Sequence, residues 1–500
     1  MGVRYFGAEV RRVEDPKLIT GQGHYLDDLA IPDVLHAAFV RSGHAHANIV
    51  GIDTEAARAL PGVVAVYTAA DFGELGNKMM PHMVLVGNVK QPLHYQPLAD
   101  REVCHVGVAI AVVIADSRAI AEDAAALVEV DYKVLDPIVD WRAALDDTAP
   151  RAHNNSPDNL VASLHSRFGA VDDVFASAPH VFAETLVTHR GGCHAMECRG
   201  VAALPDPMGA ALTIWTSTQV PHMVRRTIAA HLGRDERQVR VVAPDVGGGF
   251  GPKGSVYPEE IVIPLAALKL KRPVKWIEDR SEHFVATMQQ RDQLWSLEVA
   301  ADANGRLLGV RGRCLHDNGG YVPYGLIAPM TSMASFPGPY ALAALDVKID
   351  VVFTNLVPCT PVRGAGRPTT CFVLERLADR VARELSLDPA EVRRRSFVRA
   401  DQFPYETGVK ARDGTPISYD SGDYHACLEA VIARAGDDFA ARQQAARAKG
   451  RYLGRGIASY IEDTGLAPFE GATIRVEPNG RVLIQTGAAS QGQGHATMFA

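Results

Sequence analysis

The chain has no run approaching the ~18 apolar residues that a membrane-spanning helix needs. Cysteine is sparse and scattered, with seven in 500 residues at Cys104, Cys193, Cys198, Cys314, Cys359, Cys371 and Cys427. None forms a CxxC pair, which disfavours zinc ribbons, ferredoxin-type clusters and a disulfide framework. If electrons are handled here, the iron–sulfur centre belongs on another chain. Positive charge is not concentrated either: the net charge is −7 and no long basic block occurs, which argues against an electrostatic nucleic-acid surface. The opening MGVRYFGAEVRRVEDP lacks the apolar core of a signal peptide, so a cytoplasmic location is the expectation. It begins Met1-Gly2, yet the sixth position, where a myristoylation site carries Ser or Thr, is Phe6. No short solenoid period is visible.

What is present is an ordinary globular composition, 47% hydrophobic and 22% charged, in a chain long enough for two to four domains of roughly 100–200 residues. Residues 20 to 135 read as a first α/β unit. Within it VGVAIAVVIA (106 to 115) is a buried-strand run, followed by a helix with Ser117 or Asp116 as N-cap. A stretch rich in Asp, Asn and Pro, LDDTAPRAHNNSPDNL, is the linker candidate. Strands, Gly/Pro loops and helices then alternate to about 395. SLEVAADANGRLLGVRGRCLH reads as a hairpin with Asn304-Gly305 at a tight turn, and TIRVEPNGRVLIQTG repeats that grammar at Asn479-Gly480. Between the hairpins, DPAEVRRRSF and SGDYHACLEAVIARAGDDFAARQQAARAKG are helical and carry a boundary near 400.

The stretch VVAPDVGGGFGPKGS (241 to 255) follows a β-branched run with three glycines, Phe250 and a fourth glycine, ahead of the helical PEEIVIPLAALKL. Strand, glycines and helix start are the geometry of anion binding, because bare backbone N–H groups converge at a partial positive charge. Counted from Gly247, a GxGxxG fingerprint ends on Pro252; counted from Gly249, Gly251 and Gly254 match but Pro252 and Lys253 intrude at the turn. The order PKGS is not that of a P-loop. A loop that merely lets two elements approach would look the same. Two further junctions tip the balance: TPVRGAGRPTT, with Arg363 and Arg367 bracketing a Gly-rich turn before a long amphipathic helix, and QTGAASQGQGHATMFA, a strand running into Gln491 to His495. Three such junctions suggest several backbone cradles around one large anionic ligand, with paired arginines suited to phosphate or an oxo group.

Taken together, TSTQVPHMVRRTIAAHLG, VRVVAPDVGGGFGPK, RPVKWIEDRSEHFVATMQQRDQ, PVRGAGRP and QGQGHATMFA resemble, in order and spacing, the molybdenum-binding large subunit of the xanthine dehydrogenase / aldehyde oxidase / carbon monoxide dehydrogenase family. GQGHYLDDLAIPDVLHAAFVRSGHAHANI and AEDAAALVEVDY resemble that family's α/β hammerhead domain. The resemblance runs from about residue 10 to the last residue. It implies a mixed α/β (α+β) fold: a hammerhead domain over 10–140, a linker over 141–160, a first molybdopterin-binding domain over 161–398, and the start of a second over 399–500. It implies a molybdenum cofactor, in the cytosine dinucleotide form, with no metal ligand from the chain itself. Gln219 would hydrogen-bond an oxo ligand of molybdenum; Gly248, Gly249, Phe250 and Gly251 would line the metal beside Arg363; Gln491, Gly492, Gln493, Gly494 and His495 would grip the pterin or its pyrophosphate. The implied reaction oxidises an aldehyde or N-heterocyclic C–H bond with oxygen from water. Its electrons leave through [2Fe–2S] and FAD on partner subunits, in a dimer of heterotrimers.

Departures from the family pattern narrow this. Gly364, Ala365 and Gly366 stand where the carbon monoxide enzymes carry a cysteine, and Gly254 and Ala365 stand where the purine enzymes carry a carboxylate and an aromatic. The family's general-base glutamate, in a GxGE-type motif, is not present in these 500 residues. Glu259 and Glu260 read as acids opposing the helix macrodipole. The stretch HRGGCHAMECRG offers His189, Cys193, His194 and Cys198 without a standard zinc spacing, and its histidines read as packing or pocket residues. A non-catalytic remnant or scaffold chain that docks partner subunits is the alternative reading.

Overall fold

The computed structural model describes residues 7–82, 89–208, 210–411, 413–436, 438–462 and 471–499; the myristoylation reading at Gly2 and Phe6 lies outside them. One seven-stranded sheet dominates the first half. From edge to edge its strands are Val239–Val242, Leu212–Thr216, Gly200–Pro205, Val274–Ile277, Leu35–Arg41, Ala109–Ala115 and Val63–Thr68. The sheet therefore joins two parts of the chain that the linker separates, through parallel pairing of Leu35 with Val274 and His36 with Lys275. Every residue of Ala109–Ala115 is buried, as expected of an interior strand covered on both faces. Alanines make one covering close: Ala38 and Ala115 meet Ala121 of the helix Arg118–Ala125. Ser117 caps that helix by accepting from Ile120 N–H.

On the other face lies the helix Glu259–Leu270, with nine buried residues. A helix apolar on all sides belongs in a core, and this one presents Ile261, Val262, Ile263, Ala266 and Ala267 to it. A second, five-stranded sheet orders Leu160–Phe168, Ala344–Val352, Leu307–Asp317, Gln293–Ala301 and His180–Thr188, and the long helix Arg367–Glu384 packs with it in a second core.

The linker candidate is not a free tether. Trp141 is buried in the second core, and Asn159 donates to Ala144 O (3.1 Å) and Pro150 O (2.8 Å) while accepting from Ala152 N–H (2.9 Å). Polar composition gave the loop but not these buried amide anchors. The hairpin turns also differ from the tight two-residue form. Asp302 N–H donates to Arg306 O and Gly305 N–H to Asp302 O, both at 3.0 Å, and Gly305 alone is left-handed at φ +81°. This is a three-residue loop: a type I turn closed by a left-handed glycine. Asp302 Oδ1 supports it by accepting from Asn304 and Arg306 N–H. Glu477–Arg481 repeats the arrangement, with Gly480 at φ +81°. Its strands, Ala472–Val476 and Val482–Thr486, are exposed throughout.

Candidate cofactor-binding site

Two parallel neighbours, Leu212–Thr216 and Val239–Val242, end at the same edge of the large sheet, so the segments that follow them emerge side by side. The first runs through Ser217 and Thr218 to Gln219; the second becomes the glycine loop. They are laced together. Gln219 N–H and Thr218 Oγ1 both donate to Lys253 O (2.9 and 3.1 Å), and Gly251 N–H donates to Gln219 Oε1 (2.7 Å). The missing side chains are explained by contact: a Cβ at Gly249 would lie 2.5–2.6 Å from the Gln219 side chain, and one at Gly251, where φ is +115°, would run into Pro361 O. From the far side, Arg363 N–H donates to Phe250 O (2.8 Å). Phe250 itself is left-handed at φ +57° and 42% exposed, a conformation that costs a bulky residue free energy.

Gln219, Gly248, Gly249, Phe250, Gly251 and Arg363 are thus one constellation. The amide of Gln219 is oriented without ambiguity, because a backbone N–H can only point at its oxygen. Its NH2 end is left as the donor, and the exposed Arg363 guanidinium makes no hydrogen bond among the described residues.

Beneath the loop is a buried polar layer. Lys253 Nζ sits between Glu197 Oε2 (3.0 Å) and Ser217 Oγ (2.7 Å), and Glu197 Oε2 also accepts from Gly247 N–H (2.8 Å). Glu197 Oε1 is buried with no hydrogen-bond partner. Burial pulls the Lys253 ammonium below its usual range, against the carboxylate of Glu197. A cavity of about 10 Å3, lined by Arg199, Ser217, Lys253, Tyr257 and Glu260 among others, has on the order of one water's room.

Glu259 and Glu260 correct the helix-dipole reading, since both carboxylates are buried, one held by cations and the other by neutral hydrogen-bond donors. Glu259 meets Arg41 Nη2 (2.5 Å) and Arg199 Nη1 (2.9 Å). Burial favours its protonated form, but the two guanidinium groups outweigh it and hold the carboxyl below its usual range. Arg199 also pairs with Glu278 and lies 3.9 Å from the Tyr257 ring centroid. Glu260 has no such cation. It accepts from Thr216 Oγ1 (2.6 Å) and Tyr257 N–H (3.0 Å), and burial pushes its pKa up to about 7. Arg41, Arg199, Lys253 and Glu278 went unread in the sequence because their partners are distant along the chain.

Gln491 to His495 lie elsewhere, with no hydrogen bond to the glycine loop among the described residues. Arg12 Nη2 donates to Gly492 O (3.1 Å), and Thr497 Oγ1 donates to Glu14 Oε2 (2.5 Å). The connection to the loop is indirect: the same N-terminal segment reaches Asp245 through Lys17 Nζ (2.6 Å) and His24 N–H (2.8 Å). In the 189–200 stretch, His194 packs against the rings of His283 and Phe284, and burial raises the thiols of Cys193 and Cys198.

Residues 20–136 match the a/b hammerhead domain of aldehyde oxidase and xanthine dehydrogenase, and residues 152–397 and 432–500 match molybdopterin cofactor-binding domains. The chain is 36% identical to the nicotine 6-hydroxylase large subunit of Paenarthrobacter nicotinovorans, over 99% of this chain and 61% of that one. It is 33% identical to the carbon monoxide dehydrogenase large chain of Afipia carboxidovorans, over 99% and 64% respectively. Quinoline 2-oxidoreductase from Pseudomonas putida 86 superposes with a TM-score of 0.91 at 36% identity, over 98% of this chain and 63% of that one. The chain spans less than two thirds of the length of these relatives.

Proposed function

The chain belongs to the molybdenum-binding large-subunit family of xanthine dehydrogenase, aldehyde oxidase and carbon monoxide dehydrogenase, and from that premise we propose that it serves a molybdenum hydroxylase. The substrate class is an aldehyde or an N-heterocycle, oxidised at a C–H bond with oxygen from water. Two relatives named for nicotine and quinoline favour the heteroaromatic branch, and Gly364-Ala365-Gly366, standing where the carbon monoxide enzymes carry a cysteine, argues against carbon monoxide oxidation.

The observation that carries this reading is the fixed amide of Gln219. With Oε1 held by Gly251 N–H, the end offered outward is a hydrogen-bond donor, which is what an anionic oxo group requires. Arg363 adds a positive charge from the adjoining loop, and the glycines let backbone approach where side chains would block it. The residues present therefore fit a molybdopterin. When bound, that group supplies the two-electron redox centre and activates water. The chain's own part is to hold the group by backbone and amide contacts, orient it through Gln219, and exclude solvent with Phe250. The pterin is proposed to be the cytosine dinucleotide form, with Gln491 to His495 assigned to its pyrophosphate.

A general base is needed as well. Glu259 and Glu260 are committed beneath the loop, so the proposal leaves this role to the part of the relatives that the chain does not span. Electrons are proposed to leave to [2Fe–2S] and FAD subunits in a dimer of heterotrimers; among the described residues Cys104, Cys314 and Cys359 are separately buried.

The test is metal and pterin analysis of the chain co-purified with its iron–sulfur and flavin partners. Near-stoichiometric molybdenum is expected. Well-folded material without molybdenum or pterin fluorescence would overturn the reading in favour of a scaffold chain.

A further inference from the structure

Where the strands Ala47–Asp53 and Glu102–Val103 of a separate three-stranded sheet meet the segment 150–159 lies a cluster that the proposed function does not use. His46 Nε2 is 2.8 Å from Glu102 Oε1, and ligand-type atoms of His46, Glu102 and Cys104 all lie within 4.8 Å of one another. Cys104 Sγ is in turn 3.2 Å from His153 Nδ1. His46, Cys104 and His153 are buried, whereas the Glu102 side chain keeps 19% of its surface open.

We propose that His46, Glu102, Cys104 and His153 bind one divalent transition-metal ion of the zinc class. Two imidazoles, a thiol and a carboxylate are the donor types such an ion selects, and borderline N/S/O sets favour zinc over calcium or magnesium. The surrounding hydrogen bonds are those of a prepared site. His153 Nε2–H donates to Gly320 O (2.5 Å), which fixes the tautomer and turns the Nδ1 lone pair toward the sulfur. Asn154 N–H donates to Glu102 Oε1 (2.8 Å) and orients the carboxylate. His46 Nδ1 is buried with no partner, so the His46–Glu102 hydrogen bond leaves half of a buried imidazole unsatisfied.

Ligand-type atoms of three of the four residues already lie within 4.8 Å of one another, and His153, which joins them through the Cys104 sulfur at 3.2 Å, has the farthest to move. Metal–ligand bonds of about 2.0–2.3 Å in a tetrahedron set ligand–ligand edges somewhat longer than the 2.8 and 3.2 Å of the two hydrogen-bonded pairs, so the pairs open slightly as the ion enters. On uptake the thiol proton leaves to solvent, the His153 Nδ1 lone pair that accepted it turns to the ion, and the His46 Nε2 proton moves to the unpartnered Nδ1, which frees the Nε2 lone pair for the ion. Glu102 is the entry side, being the one ligand open to solvent. The ion would tie the strand ends around Ala47 and Val103 to the 150–159 segment and, through Gly320, to the second core.

The probe is cobalt(II). The 500-residue chain, stripped with a chelator, is titrated with Co2+ and followed by absorption and metal analysis. One equivalent is expected, with thiolate-to-cobalt charge-transfer and four-coordinate ligand-field bands that Zn2+ displaces. Cys104→Ser abolishes the charge-transfer band, and Cys198→Ser retains it; the latter controls for the other clustered thiol, beside Glu278 and His283. No stoichiometric uptake, or a band that survives Cys104→Ser, overturns the site. Should Cys104→Ser fail to fold, Glu102→Gln decides: a Co2+ affinity lower by about 10-fold or more supports the site, and an unchanged affinity overturns it. The outcome is independent of molybdenum content.

Discussion

Gln219 has one end committed and one end free, and which end is free decides what it can hold. Gln219→Glu keeps the acceptor for Gly251 N–H but turns the outward donor into a repelling carboxylate. It should lower molybdenum occupancy, and Gln219→Ala should reduce turnover of the loaded complex by roughly 100-fold, the cost of one donor aimed at developing charge. Turnover per bound molybdenum, with folding checked by thermal unfolding, measures both; unchanged values reject the assignment. Glu260 makes a different prediction, about pH. Burial raises its carboxyl from 4.5 to about 7, so the folded chain holds a proton that the unfolded chain releases near 4.5. Its contribution to stability is present below the unfolded pKa and is lost as pH climbs through about 7, on the order of 3 kcal/mol. Glu260→Gln mimics the protonated side chain, with Nε2 able to donate to Thr216 Oγ1, and should remove that loss. Parallel stability–pH curves for variant and parent would refute it. At this scale the site's face was legible and its foundation was not. Gln219, the glycines and Arg363 sit in local strand–loop–helix grammar. Arg41–Glu259 and Arg199–Glu278 join residues 218 and 79 positions apart, and no local pattern encodes such pairs.

The two NGR hairpins are a controlled comparison between elements. Gly305 and Gly480 have the same φ of +81° and close the same three-residue loop. Their surroundings differ: a Cβ at Gly305 would lie 2.5 Å from Leu387 Cδ1, while one at Gly480 meets nothing within 4 Å. Gly480→Ala therefore carries only the left-handed penalty, about 1 kcal/mol. Gly305→Ala adds a clash with a side chain packed on the second core and should cost about 2 kcal/mol or more. Urea midpoints for the two variants give the difference directly, and equal shifts would mean that Leu387 moves freely aside. The hairpins, the buried strand Ala109–Ala115 and its Ser117 cap were all readable from periodicity and cap chemistry. The turn type was not: Asp302 Oδ1 accepts from two backbone N–H groups in one hairpin, Asn479 Oδ1 accepts from Arg481 N–H in the other, and so no one side chain encodes the shared loop.

Continuity of the large sheet makes the whole molecule less divisible than its order along the chain suggests. Composition marked a linker at 145–160. Hydrogen bonding ignores that break: Leu35–Arg41 pairs with Val274–Ile277 on one side and Ala109–Ala115 on the other. Arg41 crosses the same seam to Glu259 (2.5 Å) and Glu282 (2.6 Å). Removing residues 1–140 would expose the Val274–Ile277 edge as an unpaired, apolar strand, which is an aggregation template. It would also leave the Glu259 carboxylate buried with Arg199 alone among its cations, and breaking a buried pair of this kind costs about 3–5 kcal/mol. The truncated chain 141–500 should therefore aggregate or lose its cooperative unfolding transition. Co-expression with residues 1–140 as a separate polypeptide should restore both, because the seam is non-covalent. Arg41→Met in the intact chain separates the two causes: it removes the cation but keeps the strand, so it should destabilise without aggregation. A monomeric 141–500 chain with a sharp urea transition would show that the strand pairing at Leu35 and His36 follows folding rather than supporting it, and that the two parts fold independently.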